Sequence, residues 1–218
     1  MSRDSFNMYN PEGKKVGTML TKTFIEKEKI YYSDISQFDN GSIYEEAFFV
    51  IDKESLRTES VNIYFKIGEN YQRIEYNITN KSLQGSNTLS IGGKLTTKKI
   101  DTIIDFDVVR PEIFALINGV VNLKKDTLKL KVLEPTSLRV ANASLKFEDN
   151  QEVKIQDELH KVKRISLNGG RVVPDNIIYV GDFKLKKVDV VKPSLEICLV
   201  KSKKIEHTDS KKLHFIEL

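Results

Sequence analysis

One cysteine stands in 218 residues, and no apolar run approaches the length of a membrane-crossing helix. The lone Cys198 excludes an internal disulfide framework and a zinc site built from cysteines alone. It sits in the apolar run Leu195-Glu196-Ile197-Cys198-Leu199-Val200 and reads as a small core residue. A membrane helix needs roughly 20 apolar residues in sequence, so membrane insertion by a helix is not expected. The N-terminus, Met1 to Gly13, is polar and has no apolar stretch of the kind a secretory leader carries. The expected location is therefore the cytoplasm, or an assembly built there. On that expectation the Asn-x-Ser/Thr sequons at Asn40, Asn77, Asn80 and Asn142 are chance matches.

Catalytic signatures are also missing. No Gly-x-Ser-x-Gly, phosphate loop, His-Glu-x-x-His or dinucleotide fingerprint occurs. The three histidines, His160, His207 and His214, lack compact metal-ligand spacing. Asp101, Asp105 and Asp107 alternate along one strand-like run, which puts them on one face. A solvated strand face explains them better than a cation site. No catalytic residue, metal or cofactor is assigned, and an enzyme is not expected.

Charge is nearly balanced. The net +4 lies wholly after Pro135, far short of the strongly basic surface of a nucleic-acid binder, so nucleic acid is not an expected partner. The local excess comes from Lys184, Lys186, Lys187, Lys201, Lys203, Lys204, Lys211 and Lys212. Lysines of this kind guard strand edges, or merge into a patch for a phosphate or an acidic partner.

What is abundant is strand pattern. Val61, Ile63, Phe65 and Ile67 alternate with Asn62, Tyr64 and Lys66, and Ile74, Tyr76 and Ile78 with Arg73, Glu75 and Asn77. Side chains on a strand change face at each residue, so these are half-buried strands, and Gly68-Glu69-Asn70 closes them into a hairpin. Val16 to Ile25, Lys29 to Tyr32, and Leu128 to Val132 add further strands. Gly92-Gly93 marks a bend, and Ile100 to Val109 is the clearest single strand. Tyr44 to Ile51 is a largely apolar run, ambiguous between a short helix and a buried strand. Pro111 followed by Gly119 brackets the one expected helix, around Ile113.

The expected fold is all-β: mainly strand with one short helix, arranged as two small antiparallel barrel or sandwich domains. The boundaries read as an arm over 1–13, a β-rich domain over 14–135 and a second over 136–218. The second domain holds Arg164-Ile165-Ser166-Leu167-Asn168-Gly169-Gly170, a basic strand entering a Ser-x-x-Gly-Gly turn.

Residues 136–218 resemble a PilZ domain. That family carries Arg-x-x-x-Arg ahead of its first strand and Asp/Asn-x-Ser-x-x-Gly later. Ser166 and Gly169 match the second motif, and Arg139 stands near the first arginine. Gly181-Asp182-Phe183-Lys184-Leu185 and the closing Leu213 to Leu218 follow the family's rhythm. The chain departs from the pattern at Arg164, where an acid or amide belongs, and at Ala143, where the second arginine belongs. The resemblance implies a small barrel, a layout like flagellar-brake proteins, and a cyclic di-GMP site at Arg139, Arg164, Ser166, Asn168 and Gly169. The two departures imply that this binding is weakened or lost, because an arginine's bidentate grip and an acceptor for guanine are missing. The expected role is a non-catalytic adaptor or effector acting through protein partners, with a structural subunit of a phage particle or of a secretion or motor machine as the alternative.

Overall fold

Among the described residues fourteen strands form one antiparallel sheet. The computed structural model describes residues 2–111, 127–155, 157–170, 174–181, 184–191 and 195–204. Among them the strands are β1 (Ser2–Tyr9), β2 (Lys15–Glu26), β3 (Lys29–Phe38), β4 (Ile43–Asp52), β5 (Thr58–Ile67), β6 (Asn70–Thr79) and β7 (Ser82–Ile91). There follow β8 (Lys94–Ile103), β9 (Thr127–Glu134), β10 (Arg139–Ile155), β11 (Glu158–Asn168), β12 (Asn176–Gly181), β13 (Lys184–Val190) and β14 (Leu195–Lys204). The lateral order is β8 through β1, then β14 back down to β9. Each strand pairs with its sequence neighbours, except that β1 also pairs with β14 and the two edges are β8 and β9.

The all-β expectation is correct, and several details change. Ser2–Tyr9 is not an arm: it is a full strand, paired with β2 on one side and β14 on the other. Its alternation hides behind polar residues, because Asp4 is buried together with Phe6 and Met8. Pro135 stands in the turn between β9 and β10, which pair from Glu134 with Arg139 down to Thr127 with Lys146. The expected helix around Ile113 falls on residues 112–119, outside the described residues.

Tyr44 to Ile51 resolves as strand. Ala47, Phe49 and Ile51 are buried on one face, while the other face carries Phe48 in an aromatic ladder with Tyr31 and Phe24. Phe24 and Tyr31 stack at 4.4 Å between ring centroids. Both faces are apolar here, so no alternation shows in the sequence.

The sheet curls so that one face turns inward. Its buried side chains form two clusters. The first gathers Ile30, Phe49, Val61, Ile74, Tyr76 and Leu83 from β3 to β7, with Leu133 from β9. The second gathers Leu130, Leu145, Ile165, Ile178 and Val188 from β9 to β13. The segment after β8 ties them together, since Phe106 and Val109 enter the first cluster and Val108 the second. Backbone bonds fix this segment against β9: Asp107 N–H donates to the Lys131 carbonyl at 2.8 Å and Leu133 N–H to the Val108 carbonyl at 2.9 Å. The Tyr76 hydroxyl donates to the Pro135 carbonyl at 3.1 Å, and Asn87 donates to the Thr136 carbonyl at 3.3 Å, so the β9–β10 turn rests on β6 and β7.

The three aspartates of the 101–107 run do not form a site. Asp101 is bonded by Gln84, Asp107 accepts from the Lys131 backbone, and Asp105 is held by Lys131 and by Lys81, the latter at 2.7 Å. Bonds from Lys131 first, then Lys81, lower the Asp105 pKa from 3.8 to about 2. A carboxylate lowered in the folded state contributes stability that is complete above its unfolded pKa and disappears as pH falls through the folded one.

Two outcomes are expected. Phe6→Ala should cost about 3–5 kcal/mol in urea unfolding, the range for a fully buried aromatic; a loss below about 1 kcal/mol would mean β1 is peripheral. Lys131→Ala should move the Asp105 carboxyl titration, followed by carbon NMR, up towards 3.8. The loss of thermal stability between about pH 4 and pH 2 should become shallower in that variant.

Candidate functional site

Of the residues expected to bind a dinucleotide, Arg164 and Ser166 meet on one carboxylate, and Arg139 lies away from them. Arg139 opens β10 opposite Glu134 and is exposed. Arg164 lies on β11 in an ion pair with Glu148, and the Ser166 hydroxyl donates to the same carboxylate at 2.9 Å. Those bonds, Arg164 first, hold the Glu148 pKa below its usual value. Positions 139 and 148 are nine residues apart on β10, about 30 Å at the usual rise of ~3.3 Å per residue. Asn168 spends its side-chain oxygen on the Gly170 N–H, and Gly169 N–H donates to Asp175 at 2.8 Å. Gly170 has φ +63, and a Cβ there would lie 2.3 Å from the Asn142 carbonyl oxygen. The turn is therefore a closely packed structural element with its polar groups already engaged.

The other sequence candidates also resolve into local pairs. Lys187 bridges Glu196 at 2.6 Å and Asp189 at 3.1 Å. Burial works against its charge, but the two carboxylates outweigh it and its pKa is raised. Cys198 is buried and donates to Glu196 at 3.1 Å; burial, then that carboxylate, push its thiol up to about 12. This is an inert cysteine, as its apolar run suggested. His160 lies 3.8 Å from Glu158, and His207 and His214 lie outside the described residues. No group of three or more His, Cys, Asp or Glu that could hold a metal occurs among the described residues.

A different site lies on the inner face. A cavity of about 230 Å³ is lined by Met19, Tyr32, Asp34, Ser36, Glu45 and Arg110 on one side. Asn176, Leu185, Val188 and Ile197 line the other. Strand register explains the first group. Met19, Ser36 and Glu45 are directly paired across β2, β3 and β4, and pairing residues share a face. One step along, Asp4, Thr21 and Asp34 form a second transverse row, all three buried. Arg110 enters from the segment after β8. Its guanidinium pairs with Glu45 and lies 5.8 Å from the centre of the Phe49 ring.

The opposite wall is apolar except for Asn176, which opens β12 opposite Leu167 and Val190. Asn176 is only 7% exposed, and its Oδ1 has no hydrogen-bond partner. An orphaned buried polar group costs about 1–3 kcal/mol, so native structures rarely keep one without a use. Asp4 Oδ1, on the same inner face, is also unpartnered. Neither Arg110 nor Asn176 announced itself in the sequence. They come from segments distant along the chain, and no spacing rule links them.

No protein-family model and no curated protein matches this sequence. Solved structures do match. A β-barrel-like protein of the domain of unknown function DUF1849 from Brucella abortus superposes over 94% of this chain and 98% of its own, with a TM-score of 0.63 at 11% identity. A Bacteroides fragilis protein described as a candidate exported protein with a YmcC-like fold covers 93% of the chain, at a TM-score of 0.28 and 9% identity, too loose a match to bear on the argument. The PilZ resemblance of residues 136–218 is overturned: the likeness that spans the chain is to a DUF1849 structure, not to PilZ proteins. The register supplies the physical reason, because β14 completes its pairing with β1 at the other end of the sequence and so does not close a small barrel of its own. The cyclic di-GMP site and the flagellar-brake layout fall with it, and the comparisons give no support to a phage component. What this chain shares with the Brucella protein is its β-barrel-like fold.

Proposed function

We propose that this chain is a non-catalytic binding protein that takes a small amphipathic molecule into the inner cavity. The observation that carries the reading is the cavity's composition. Apolar side chains from β2, β13 and β14 form one part of the wall, and the polar side chains of Asp34, Ser36, Glu45, Arg110 and Asn176 converge on the rest. Ligand pockets have this make-up, with apolar area for affinity and sparse polar atoms for orientation. Curled antiparallel sheets also hold their ligands on the inner face.

A second reading concerns protein partners. The edge strand β8 exposes its residues almost throughout: Leu95 and Ile103 are 59% and 81% exposed, beside Ile91 at the end of β7 at 59%. An open edge with apolar side chains is a template for an added strand.

For the cavity, N-phenylnaphthylamine fluorescence should rise and saturate at one molecule per chain. Ser36→Trp, which fills the space between Met19 and Glu45, should weaken that binding at least tenfold while circular dichroism and melting temperature hold. Probe binding that is absent, or that ignores the tryptophan, would refute the cavity. For the edge, a photo-crosslinking residue at Thr97 should give a discrete protein adduct in cells, and the same residue at Lys66 on β5 should give none. Equal labelling at both positions would dismiss the edge as a docking strand.

A further inference from the structure

We infer, resting on the edge-strand reading above, that the partner of β8 is a second copy of this chain: two β8 strands pair antiparallel about a two-fold axis at Ile100. β8 ends the strand order, so among the described residues no strand pairs with its second side. Ile104 N–H donates to the Lys81 carbonyl at 2.9 Å, towards the β7 side. Backbone groups along an antiparallel strand alternate sides, so Lys94, Thr96, Lys98, Ile100 and Thr102 share the side of Ile104. The N–H and C=O groups of Leu95, Thr97, Lys99, Asp101 and Ile103 therefore point to the free edge, and all five residues are exposed.

That alternation restricts the register. Two copies of this edge bond only where odd-numbered residues face odd-numbered residues, so the axis falls on a residue and not between two. With Ile100 at the axis, Lys99 stands opposite Asp101 of the second copy, and Asp101 opposite the second copy's Lys99. Symmetry thus makes the ion pair twice. The two Ile100 side chains meet at the centre, Lys98 faces Thr102, and Thr97 faces Ile103. Neighbouring registers lose this match. An axis at Lys98, Lys99 or Asp101 sets that charge directly against its own copy, which destabilises a strand pair. An axis at Thr97 sets Lys94 against Ile100 and Lys99 against Leu95, with no ion pair formed.

Burial favours the same arrangement. Ile103 and Leu95 are 81% and 59% exposed, on the face opposite to that of the buried Ile100. The pairing lays Thr97 of the second copy beside Ile103 and places its Leu95 on the diagonal, within reach of a long side chain. Asp101 accepts from Gln84 at 3.3 Å and, as a carboxylate, has lone pairs for a second donor. Edge lysines deter indiscriminate strand addition. Here they penalise the wrong registers and, with Asp101, leave one open to a strand of the same sequence.

The test is sedimentation equilibrium of the full chain, in which the wild type should dimerise reversibly. Lys99→Asp and Asp101→Lys each put like charges opposite one another in both symmetry-related pairs. Each should weaken the dimer at least tenfold with the melting temperature unchanged, since both sites are exposed. An equimolar mixture of the two variants should associate at wild-type strength, because each supplies the charge the other has lost. The double variant should dimerise by itself. A dimer indifferent to both single variants, or single variants that mixing does not rescue, would overturn this pairing. A wild type that stays monomeric at millimolar concentration would also overturn it. So would a Thr97 crosslink whose mass is not twice that of the chain, though β8 would then remain a docking strand for a different protein. No crosslink at Thr97 would remove the edge reading and this one together.

Discussion

The ladder between β1 and β14 is the contact on which the architecture depends. It runs from Ser2 opposite Lys204 to Tyr9 opposite Glu196, with one register shift between Ser5 and Phe6. Without it the strands would fall into two meanders, β1 to β8 and β9 to β14. With it they form one sheet, and the inner faces of β2–β4 and β12–β14 are set opposite each other. The cavity depends on that join: its two walls come from the two meanders, and the central pairing sets them opposite each other. Phe6 and Met8 lie beneath it, almost fully buried, and anchor the join by apolar burial as well as by backbone bonds.

The polarity of the inner face then takes on meaning. Most of the polar groups in this sheet are satisfied locally and outward, as in the Arg164–Glu148–Ser166 group and the Lys187 bridge. The unsatisfied ones are inward. Folding tolerates such groups only where other terms cover the cost, and the two apolar clusters on either side provide them. Polar atoms left unpaired at a cost in stability are a common trade between stability and function.

Much of the fold could be read from the sequence, for identifiable reasons. Val61 and Ile63, or Ile74 and Tyr76, alternate with polar residues and are buried in that pattern. The same alternation overreached at the strand ends, where Ile67 runs beyond the core and is half exposed. It also ran past β8: Phe106 and Val108 keep the inward parity of Ile100 after the chain has left β7, because alternation records burial and not pairing partner. β1 was misread because one of its three buried positions is an aspartate. The cavity-lining residues were beyond reach for a different reason. Asp34, Arg110 and Asn176 meet only through register and curvature, which no local pattern encodes.

The segment from Ile104 to Arg110 has a consequence for how the molecule comes apart. In seven residues it places side chains in both apolar clusters and backbone bonds on β9. Neither cluster can melt without exposing part of that segment, and exposing it strips support from the other. The two halves of the sheet are therefore held together by packing on this segment as well as by the β1–β14 ladder, a second link that opposes their separate unfolding.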